Sequence, residues 1–406
     1  MSYSGSYTVK ALFAAVSLLA LAACSSEEAS DKADDAQRIA SETIIIDTHI
    51  DVPYRLNHEW EDVSAATEKG DFDYPRAVAG GLNAPFMSVY TPAQYDGTPK
   101  AKSHAEEMIA IVEKMAADAP EKFRVATSVA DVEKAFTDGI IALPMGMENG
   151  SPVSGDLANL DYFYERGIRY ITLAHSKSNS ISDSSYDVTR QWNGLSDFGH
   201  EAVKRMNELG ILVDISHVSD DAFWQVMEIA AVPPIASHSS ARHFTPGFER
   251  NMSDEMIRAL AAKGGVIMIN YGSSFITEEA NKYGPARDEA YLKYIAENGL
   301  TDSTDLKEQF EKGYMEDNPF PYATLDDVLD HIDHVVKLTG IDYVGLGSDY
   351  DGVGDSLPVG LKDVSSYPNL IEGLMKRGYS EEDIKKILSG NFLRVWRTAE
   401  AYAASH

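Results

Sequence analysis

The stretch Ile44-Ile45-Ile46-Asp47-Thr48-His49-Ile50-Asp51 decides how this chain is interpreted. The isoleucine run predicts a buried strand, and two residues of metal-binding type, His49 and Asp51, follow it two positions apart. Side chains alternate along a strand, so both are expected to point to one face and to hold one cation together. The spacing is weak evidence by itself. It gains force because four later strand-like segments also end in Glu, His, His and Asp.

Short β-branched runs alternate with helical patterns from about residue 38 onward, which predicts βαβ units and a parallel sheet. The eight candidate strands are Thr43 to Asp47, Ala84 to Val89, Ile140 to Met147, Tyr170 to Leu173, Leu212 to Ile215, Pro234 to Ala236, Val266 to Asn270 and Tyr343 to Leu346. Amphipathic helix candidates are Ala101 to Ala117, Leu195 to Leu209, Asp220 to Ile229, Ser253 to Lys263 and Ser380 to Ala403. Eight strands, each followed by a helix, predict an α/β fold, a (β/α)8 barrel of the TIM type. A doubly wound open sheet is the main alternative, although no glycine-rich phosphate loop follows the first strand.

The segment Ser273 to Tyr322 interrupts this pattern because it is rich in charged residues and tyrosine. We expect it to be a helical insertion between the seventh and eighth strands that covers the barrel mouth. With this insertion, residues 38–406 are expected to form a single catalytic domain.

The composition is that of a globular protein, with 406 residues of which 44% are hydrophobic, and it allows a large core. The formal net charge is −29 and no basic stripe offsets it, so binding to nucleic acid is disfavoured. The single cysteine, Cys24, excludes an intrachain disulfide and a thiolate metal site.

The N-terminal residues predict export. Lys10 precedes the apolar stretch Ala11 to Ala23, which is too short to span a bilayer comfortably and has the features of a secretory signal. The sequence Leu21-Ala22-Ala23-Cys24 resembles a bacterial lipobox. We therefore expect residues 1–23 to be a lipoprotein signal peptide and Cys24 to carry the lipid.

The segment that follows the cysteine is polar and acidic, and we expect residues 24–37 to be a flexible tether between the lipid and the domain. Ser25 occupies the position where an aspartate would resemble an inner-membrane retention signal. The expected location is therefore the cell envelope, at the periplasmic face of the outer membrane.

Histidines and acids follow six of the eight predicted strands, at the end of the barrel where active sites of this fold lie. After His49 and Asp51, they are Glu148, His175, His217, His238, Asp349 and Asp351. Imidazole and carboxylate groups suit zinc and similar divalent ions. The set is too large for one tetrahedral ion, whereas two ions bridged by one carboxylate would use all of it. Such a pair also activates a water and polarises a carbonyl, while a nearby carboxylate moves the proton.

Each of these residues also has a purely structural interpretation. A single strand-end histidine is more often a packing residue than a ligand, and Asp349 with its neighbour Asp351 can form a turn. Asp47 can be an acceptor that orients a histidine. We favour the metal site because chance rarely places histidine or an acid at six of eight strand ends.

The remaining histidines have ordinary contexts. His331 and His334 lie three residues apart in a helical pattern and are expected on a solvated face. The role of His243 stays open.

Over about Arg38 to Tyr402, the sequence resembles the membrane (renal) dipeptidase family of zinc peptidases, in its bacterial branch. The motifs that carry this resemblance are Asp47-Thr48-His49-Ile50-Asp51, Gly146-Met147-Glu148-Asn149-Gly150, Leu173-Ala174-His175-Ser176, Asp214-Ile215-Ser216-His217-Val218-Ser219, Ser237-His238-Ser239-Ser240-Ala241, Arg250-Asn251-Met252 and Gly347-Ser348-Asp349-Tyr350-Asp351-Gly352. Together they are highly specific. The resemblance implies a barrel with two zinc ions that hydrolyses dipeptides through a metal-bridged hydroxide. It also implies tolerance of a D-residue at the C-terminal position, and assembly as a homodimer.

The resemblance further implies a role for each residue of the site. His49 and Asp51 would bind one zinc, His217 and His238 the other, and Glu148 would bridge the two. His175 would contact the substrate near the reacting carbonyl and stabilise the oxyanion, and Asp349 would be the proton shuttle. Arg250 would receive the substrate carboxylate, with Arg242 as the alternative because the spacing from His238 is one residue longer than in mammalian relatives.

Two departures from the mammalian members are visible. Those members carry disulfides and a C-terminal glycolipid anchor, whereas this chain has no cysteine for a disulfide and is expected to be anchored through Cys24. The expected function is that of an exported zinc dipeptidase. A binuclear zinc amidase acting on N-acyl amino acids is the nearest alternative, and a solute-binding lipoprotein and an inactive scaffold are more distant ones.

Overall fold

The computed structural model describes residues 32–153 and 155–406. This part of the chain contains ten strands: β1 Ile45–Ile50, β2 Leu82–Tyr90, β3 Phe123–Val125, β4 Ile141–Leu143, β5 Met145–Glu148, β6 Ile168–Thr172, β7 Leu212–Asp214, β8 Ile235–Ala236, β9 Val266–Ile269 and β10 Val344–Leu346. Eight of them pair in parallel in the order β1-β2-β5-β6-β7-β8-β9-β10. A parallel bridge between Ile50 and Tyr350 connects the ends of β1 and β10. The fold is therefore the (β/α)8 barrel that the sequence predicts.

Helices lie before, between and after the barrel strands. They are α1 (residues 32–42), α2 Val52–His58, α3 Tyr74–Gly80, α4 Pro99–Asp118, α5 Val129–Asp138, α6 Ala158–Glu165, α7 Asp197–Leu209, α8 Asp220–Ile229, α9 Asp254–Ala262, α10 Ser273–Ile276, α11 Glu278–Asn298, α12 Thr304–Asp317, α13 Leu325–Thr339, α14 Tyr367–Lys376, α15 Glu381–Lys385 and α16 Asn391–Ala403. Several begin at side-chain caps, as Ser253 shows by accepting a hydrogen bond from the backbone N–H of Met256. None of the helices in the described part of the chain is long and apolar enough to cross a membrane.

Two predicted segments differ from the structure. The third predicted strand is divided at Pro144, because Ile141–Leu143 pairs with the unpredicted strand Phe123–Val125 outside the barrel, and only Met145–Glu148 joins the main sheet. The predicted flexible tether, residues 24–37, extends too far toward the C-terminus. Residues 32–42 form α1, Ala36 is buried, and the side-chain amide of Gln37 donates to the carbonyl of Ala79. The predicted signal peptide, Cys24 and the rest of the tether lie outside the described residues.

The insertion is helical, as predicted, and it consists of α10, α11 and α12 between β9 and β10. A smaller apolar cluster inside the fold supports the floor of the barrel mouth. Trp396 of α16 packs against Phe86 of β2 with ring centroids 5.3 Å apart, and Phe86 packs against Tyr170 of β6 at 5.5 Å. The hydroxyl of Tyr170 in turn reaches His49 at 2.8 Å. The hydrophobic packing thereby fixes a group in direct contact with the predicted site.

Candidate metal centre

The structure brings the predicted strand-end side chains together at the C-terminal mouth of the barrel. Glu148 ends β5, and the other residues lie at or within three positions of a strand end: His49, Asp51, His175, His217, His238 and Asp349. All but His175 are buried. Ligand atoms of three overlapping groups each lie within 4.8 Å of one another: His49, Glu148 and His238; Glu148, His175 and His217; His49, Asp51 and Asp349.

Glu148 lies at the centre of this arrangement. Its Oε2 is 3.4 Å from His49 Nε2, whereas its Oε1 is 3.1 Å from His217 Nε2 and 3.3 Å from His238 Nε2. The two oxygens of one carboxylate therefore face two different sets of imidazole nitrogens. Asp51 extends the first set, since its Oδ2 is 3.5 Å from His49 Nε2.

Two hydrogen-bond relays orient the imidazoles of His49 and His238. The hydroxyl of Tyr170 donates to the carbonyl of Thr48 at 3.0 Å, so it accepts a hydrogen bond from the N–H of His49 Nδ1. The hydroxyl of Ser237 donates to Asp214 at 2.6 Å, so it accepts from His238 Nδ1 at 2.7 Å. In the neutral form of each ring, Nε2 then presents its lone pair to the centre, as metal-binding histidines do.

The chemistry of the donor set fits metal ions. His49 Nε2 is buried and has no hydrogen-bond partner in the described structure, although it faces two carboxylates. His217 Nε2 and His238 Nε2 lie only 2.8 Å apart. Lone pairs and carboxylate oxygens at such distances repel unless a positive charge lies between them. A centre of this composition suits divalent ions of the zinc type.

The electrostatics of the site lead to the same conclusion. Burial opposes ionisation of Glu148, but the surrounding histidines hold the pKa of its carboxyl well below its ordinary range. Burial also lowers the pKa of His49, yet Tyr170, Glu148 and Asp51 together raise it well above its usual value. The electrostatic field at His49 Nε2 therefore favours a positive charge. A metal ion can supply that charge in place of a proton. His217 and His238 are kept neutral because burial sets their pKa values well below the ordinary range.

Asp349 lies beside His49 and Asp51, with ligand atoms of the three residues within 4.8 Å of one another. Burial raises its pKa to about 7, with the negative charges of Asp51 and Glu148 adding to the shift and His49 opposing it. Asn270 donates to its Oδ2 at 2.7 Å and fixes the orientation of the carboxyl. A carboxyl with a pKa near neutrality can both accept and release a proton.

A cavity of about 700 Å³ opens at this mouth, and Glu148, His175 and Asp349 lie in its wall. His175 Nε2 is 3.4 Å from Glu148 Oε1, and burial lowers the pKa of its ring. The insertion contributes Phe275 to the wall of the cavity, and a loop residue, Tyr186, contributes another aromatic surface.

The two candidate arginines have different surroundings. Arg242 is already paired, because its Nη1 and Nη2 donate to the carboxylate of Asp220 at 2.7 and 2.6 Å. Arg250 is buried and pairs with no carboxylate of the described residues; its Nη1 donates to Ser239 at 2.7 Å and its Nη2 to the carbonyl of His238 at 2.7 Å. Its Nε has no hydrogen-bond partner within residues 32–153 and 155–406. Of the two arginines, Arg250 is therefore the buried one without a carboxylate partner among the described residues, and this arrangement suits an anionic ligand.

Two buried aspartates hold the strand ends in register. Asp47 Oδ1 accepts the N–H groups of His49 and Ser348, which joins the first strand to the last, and Tyr367 donates to its other oxygen. Asp214 Oδ1 accepts the N–H groups of Ser216 and Ser237 in the same way. The acceptor role considered for Asp47 fits this geometry, although it acts on the backbone of His49 rather than on its ring.

Several contributors to the site escape sequence analysis. Asn270 directly follows a strand, but a search for histidines and acids passes over an amide. Tyr170 lies inside a strand and carries no local signal. The expectation for His331 was wrong: it is fully buried, its Nδ1 accepts the N–H of Ala241 at 3.0 Å, and its Nε2 donates to the carbonyl of Ile276 at 2.9 Å.

The parallel barrel and the histidines and carboxylates at its mouth define the class of (β/α)8 barrel proteins with a site suited to metal ions. The chain belongs to the family described as membrane dipeptidase, Peptidase family M19, whose model matches residues 33–406. It is therefore a hydrolase of the dipeptidase type.

Solved structures of similar fold include the probable dipeptidase PvdM from Pseudomonas aeruginosa, with 28% sequence identity and a TM-score of 0.80, over 92% of this chain and 100% of that chain. A metallo peptidase from Rhodobacter sphaeroides, liganded with a phosphinate mimic of the dipeptide L-Ala-D-Ala, has 24% identity and a TM-score of 0.71, over 88% of this chain and 99% of its own. An amidohydrolase from Pseudomonas aeruginosa has 21% identity and a TM-score of 0.70, over 90% of this chain and 98% of its own. The last two likenesses concern the fold alone.

Proposed function

We propose that this dipeptidase uses two zinc ions bridged by Glu148 to hydrolyse free dipeptides, and that it accepts a D-residue at the C-terminal position. The observation that carries the proposal is that the two carboxylate oxygens of Glu148 face different histidines. Its Oε2 faces His49, whereas its Oε1 faces His217 and His238. We assign His49 and Asp51 to one ion and His217 and His238 to the other. A single bridging carboxylate accounts for why this many ligands meet around one residue.

When bound, the two ions supply an activated water and polarise the scissile carbonyl. The protein side chains do the rest. Arg250 receives the carboxylate of the substrate, for which a guanidinium is well shaped. His175, neutral at pH 7 because burial lowers its pKa, donates a hydrogen bond to the developing oxyanion. Asp349 accepts a proton from the attacking water and passes it to the leaving amine.

The tolerance of a D-residue is supported by the Rhodobacter sphaeroides metallo peptidase of similar fold, which is liganded with a phosphinate mimic of L-Ala-D-Ala. The substrate panel below tests this tolerance.

The first experiment measures metal per chain and hydrolysis on protein that lacks residues 1–24. The substrates are L-Ala-D-Ala, L-Ala-L-Ala and an N-acetylated amino acid. We expect about two zinc ions per chain, the number that the assigned donor set would hold, with hydrolysis of the free dipeptides only. Two zinc ions with cleavage of only the acylated compound would identify an amidase. Absence of metal and of hydrolysis after zinc is added back would favour a binding protein or a scaffold.

The assigned roles are tested by two isosteric variants. Glu148→Gln is expected to reduce bound metal because an amide bridges two cations poorly. Asp349→Asn is expected to retain metal but to lower kcat by about 10²-fold or more, the usual contribution of a proton-transfer group. The control is Asp355→Asn, since that side chain is 84% exposed. Unchanged turnover in the first two variants would refute the mechanism.

We also propose that the protein is an exported lipoprotein attached to the cell envelope, at the periplasmic face of the outer membrane, through Cys24, and that it assembles as a homodimer. The lipobox-like sequence supports the first statement, and the family resemblance supports the second. Labelling of growing cells with a radioactive fatty acid should mark the wild type and not Cys24→Ser. Light scattering of the purified protein measures the oligomeric state.

A further inference from the structure

A second group of metal-ligating side chains lies apart from the candidate metal centre. His243 belongs to a short helical turn, Arg242–Phe244, that follows β8. Asp254 is the first residue of α9, and His334 lies on α13. One ligand atom from each lies within 4.8 Å of the others. Three different elements therefore present two imidazoles and one carboxylate to the same place.

The contacts within this group are close. His334 Nε2 is 2.7 Å from Asp254 Oδ1. The rings of His243 and His334 stack with centroids 4.4 Å apart and an angle of 18° between their planes. An ordinary histidine–aspartate hydrogen bond accounts for His334 and Asp254, but it gives no reason for a second imidazole beside them. Asp254 also makes a long ion pair with Arg258, whose Nη2 lies 3.9 Å from its Oδ2.

We propose that His243, Asp254 and His334 form an accessory site for a divalent transition-metal ion such as zinc. Two imidazoles and a carboxylate, with the remaining positions open to water, are a donor set of the kind that zinc takes, and imidazole disfavours magnesium and calcium. His243 is exposed, and no described residue hydrogen-bonds to its ring. Ring contacts with His334 and Phe244, rather than a hydrogen bond, hold it in place, so a turn of the ring can point its lone pair at an ion held by the other two side chains.

The site would fasten the segment that carries Arg250. His238 lies five residues before His243, and Arg250 lies seven residues after it. The segment is already held at one point, because His331 accepts the N–H of Ala241. His334 follows His331 by one turn of the same helix, so an ion at the accessory site would fasten the segment to α13 a second time. Occupancy is therefore expected to stabilise the region around the substrate arginine.

The experiment titrates zinc into enzyme already loaded with its catalytic metal and measures binding by calorimetry. Wild type is expected to take up one further equivalent, and its Tm is expected to rise by about 2 °C or more. His243→Ala and Asp254→Asn are each expected to weaken this equivalent at least tenfold, with dipeptide hydrolysis at limiting zinc unchanged. His200→Ala is the matched control, because His200 lies on a helix outside both groups and its Nδ1 hydrogen-bonds to the carbonyl of Ser196.

A crystal soaked in zinc should give an anomalous peak between the three side chains. The proposal is overturned if wild type binds no further zinc, or if the further equivalent survives in both variants. The Glu148→Gln variant separates this outcome from failure of the catalytic proposal. Loss of the catalytic ions in that variant is expected to leave the accessory equivalent in place, so each site can fail without the other.

Discussion

Backbone strain is concentrated at the residues that form the barrel mouth. Asn149, His217, Asp349 and Asp351 have φ angles of 73°, 67°, 65° and 64°, in the left-handed region that costs a non-glycine residue about 1 kcal/mol or more. Each lies in the sharp turn after a strand. Surrounding hydrogen bonds hold the conformation, such as the one from the N–H of Asp349 to the carbonyl of His49 at 3.0 Å.

Replacement of Arg250 by methionine should remove the selection for a free carboxylate. A charge-assisted hydrogen bond contributes about 1.5–3 kcal/mol, so kcat/KM for L-Ala-D-Ala is expected to fall about 10- to 100-fold, mainly through KM. The corresponding dipeptide amide, which lacks the carboxylate, is expected to be affected far less. Steady-state kinetics with both substrates measure the ratio.

Arg242→Met is the matched control for that variant. It breaks the bidentate pair with Asp220, so the Tm is expected to fall while the preference for the free dipeptide over its amide is kept. If Arg242→Met changes the preference and Arg250→Met does not, the assignment of the substrate arginine is reversed.

Asp71 should make stability depend on pH. Its N–H donates to Asp351 at 2.6 Å, and the N–H of Asp351 donates back at 2.8 Å. Burial, followed by the charge of Asp351, raises the pKa of Asp71 from 3.8 to about 6. The folded state therefore binds this proton more tightly than the unfolded state. Stability from this group is complete below about pH 4, is lost as pH rises to about 6, and stays lost above it.

Asp71→Asn removes this titration and keeps a similar shape. The variant is expected to match the wild type near pH 4 and to exceed it by up to about 3 kcal/mol above pH 6, since a pKa unit corresponds to about 1.4 kcal/mol. Urea unfolding of both proteins at pH 4 and pH 7.5 gives the difference directly. An equal offset at the two pH values would contradict the role assigned to burial.

At the scale of elements, the sequence predicts the barrel because the ends of its strands can be identified from the residue pattern. Short apolar runs, each followed within a few residues by a histidine or an acid, mark the carboxyl ends of buried strands, as at Asp51 and Glu148. The ends of parallel strands meet at one edge, so residues up to 300 positions apart could be grouped without a structure. The insertion was visible for the opposite reason, since its charge and its tyrosines break the apolar pattern.

Other features have no such signal. The strand Phe123–Val125 has three residues, too few for a period to appear, and Pro144 divides a run that reads as one strand. Alternation does not reveal which residue will have a positive φ, so the turns at His217 and Asp349 could not be foreseen. The hydroxyl of Tyr170 acts at His49 across 121 positions of sequence, and only the folded barrel brings the two together.

The absence of a side chain at Gly146 leaves room for the contact between Tyr170 and His49. A Cβ at Gly146 would lie 1.9 Å from the ring of Tyr170, so the phenol can approach β5 only because the side chain is absent. Gly146→Ala is expected to displace Tyr170 and leave His49 Nδ1 without its acceptor. We expect a loss of about 1–3 kcal/mol in the free energy of unfolding and a 10- to 100-fold loss of metal affinity.

Gly313→Ala is the control for this substitution. Gly313 lies within α12 and a Cβ there meets nothing within 4 Å, so alanine is expected to stabilise the helix by up to about 1 kcal/mol. Thermal melting and a competition assay with a zinc chelator measure both effects. We expect Gly146→Ala to lower the free energy of unfolding and Gly313→Ala to raise it. If Gly146→Ala changes neither stability nor metal affinity, the position of Tyr170 does not depend on the missing side chain at Gly146.

At the scale of the whole molecule, the barrel closes at the candidate metal centre. The sheet joins its first and last strands through the bridge between Ile50 and Tyr350, with the N–H of Asp51 donating to the carbonyl of Tyr350 at 2.9 Å. The assigned ligands come from the ends of β1, β5, β7 and β8. Metal ions would therefore connect strands that are distant in sequence, and buried carboxylates such as Glu148 would lose their compensating charge without them.

Removal of the metal should consequently destabilise the entire fold rather than the site alone. A ligand at 1,000 times its Kd stabilises the folded state by about 4 kcal/mol, which predicts a fall in Tm of several degrees after chelation and dialysis, and recovery when zinc is added. Tm should also rise with the logarithm of free zinc, less steeply in Glu148→Gln because that variant binds less metal. Calorimetry of the loaded, stripped and reloaded protein tests this. Identical melting of loaded and stripped protein, with metal loss verified by elemental analysis, would mean that the closure between Ile50 and Tyr350 is stable by itself and that the ions serve chemistry only.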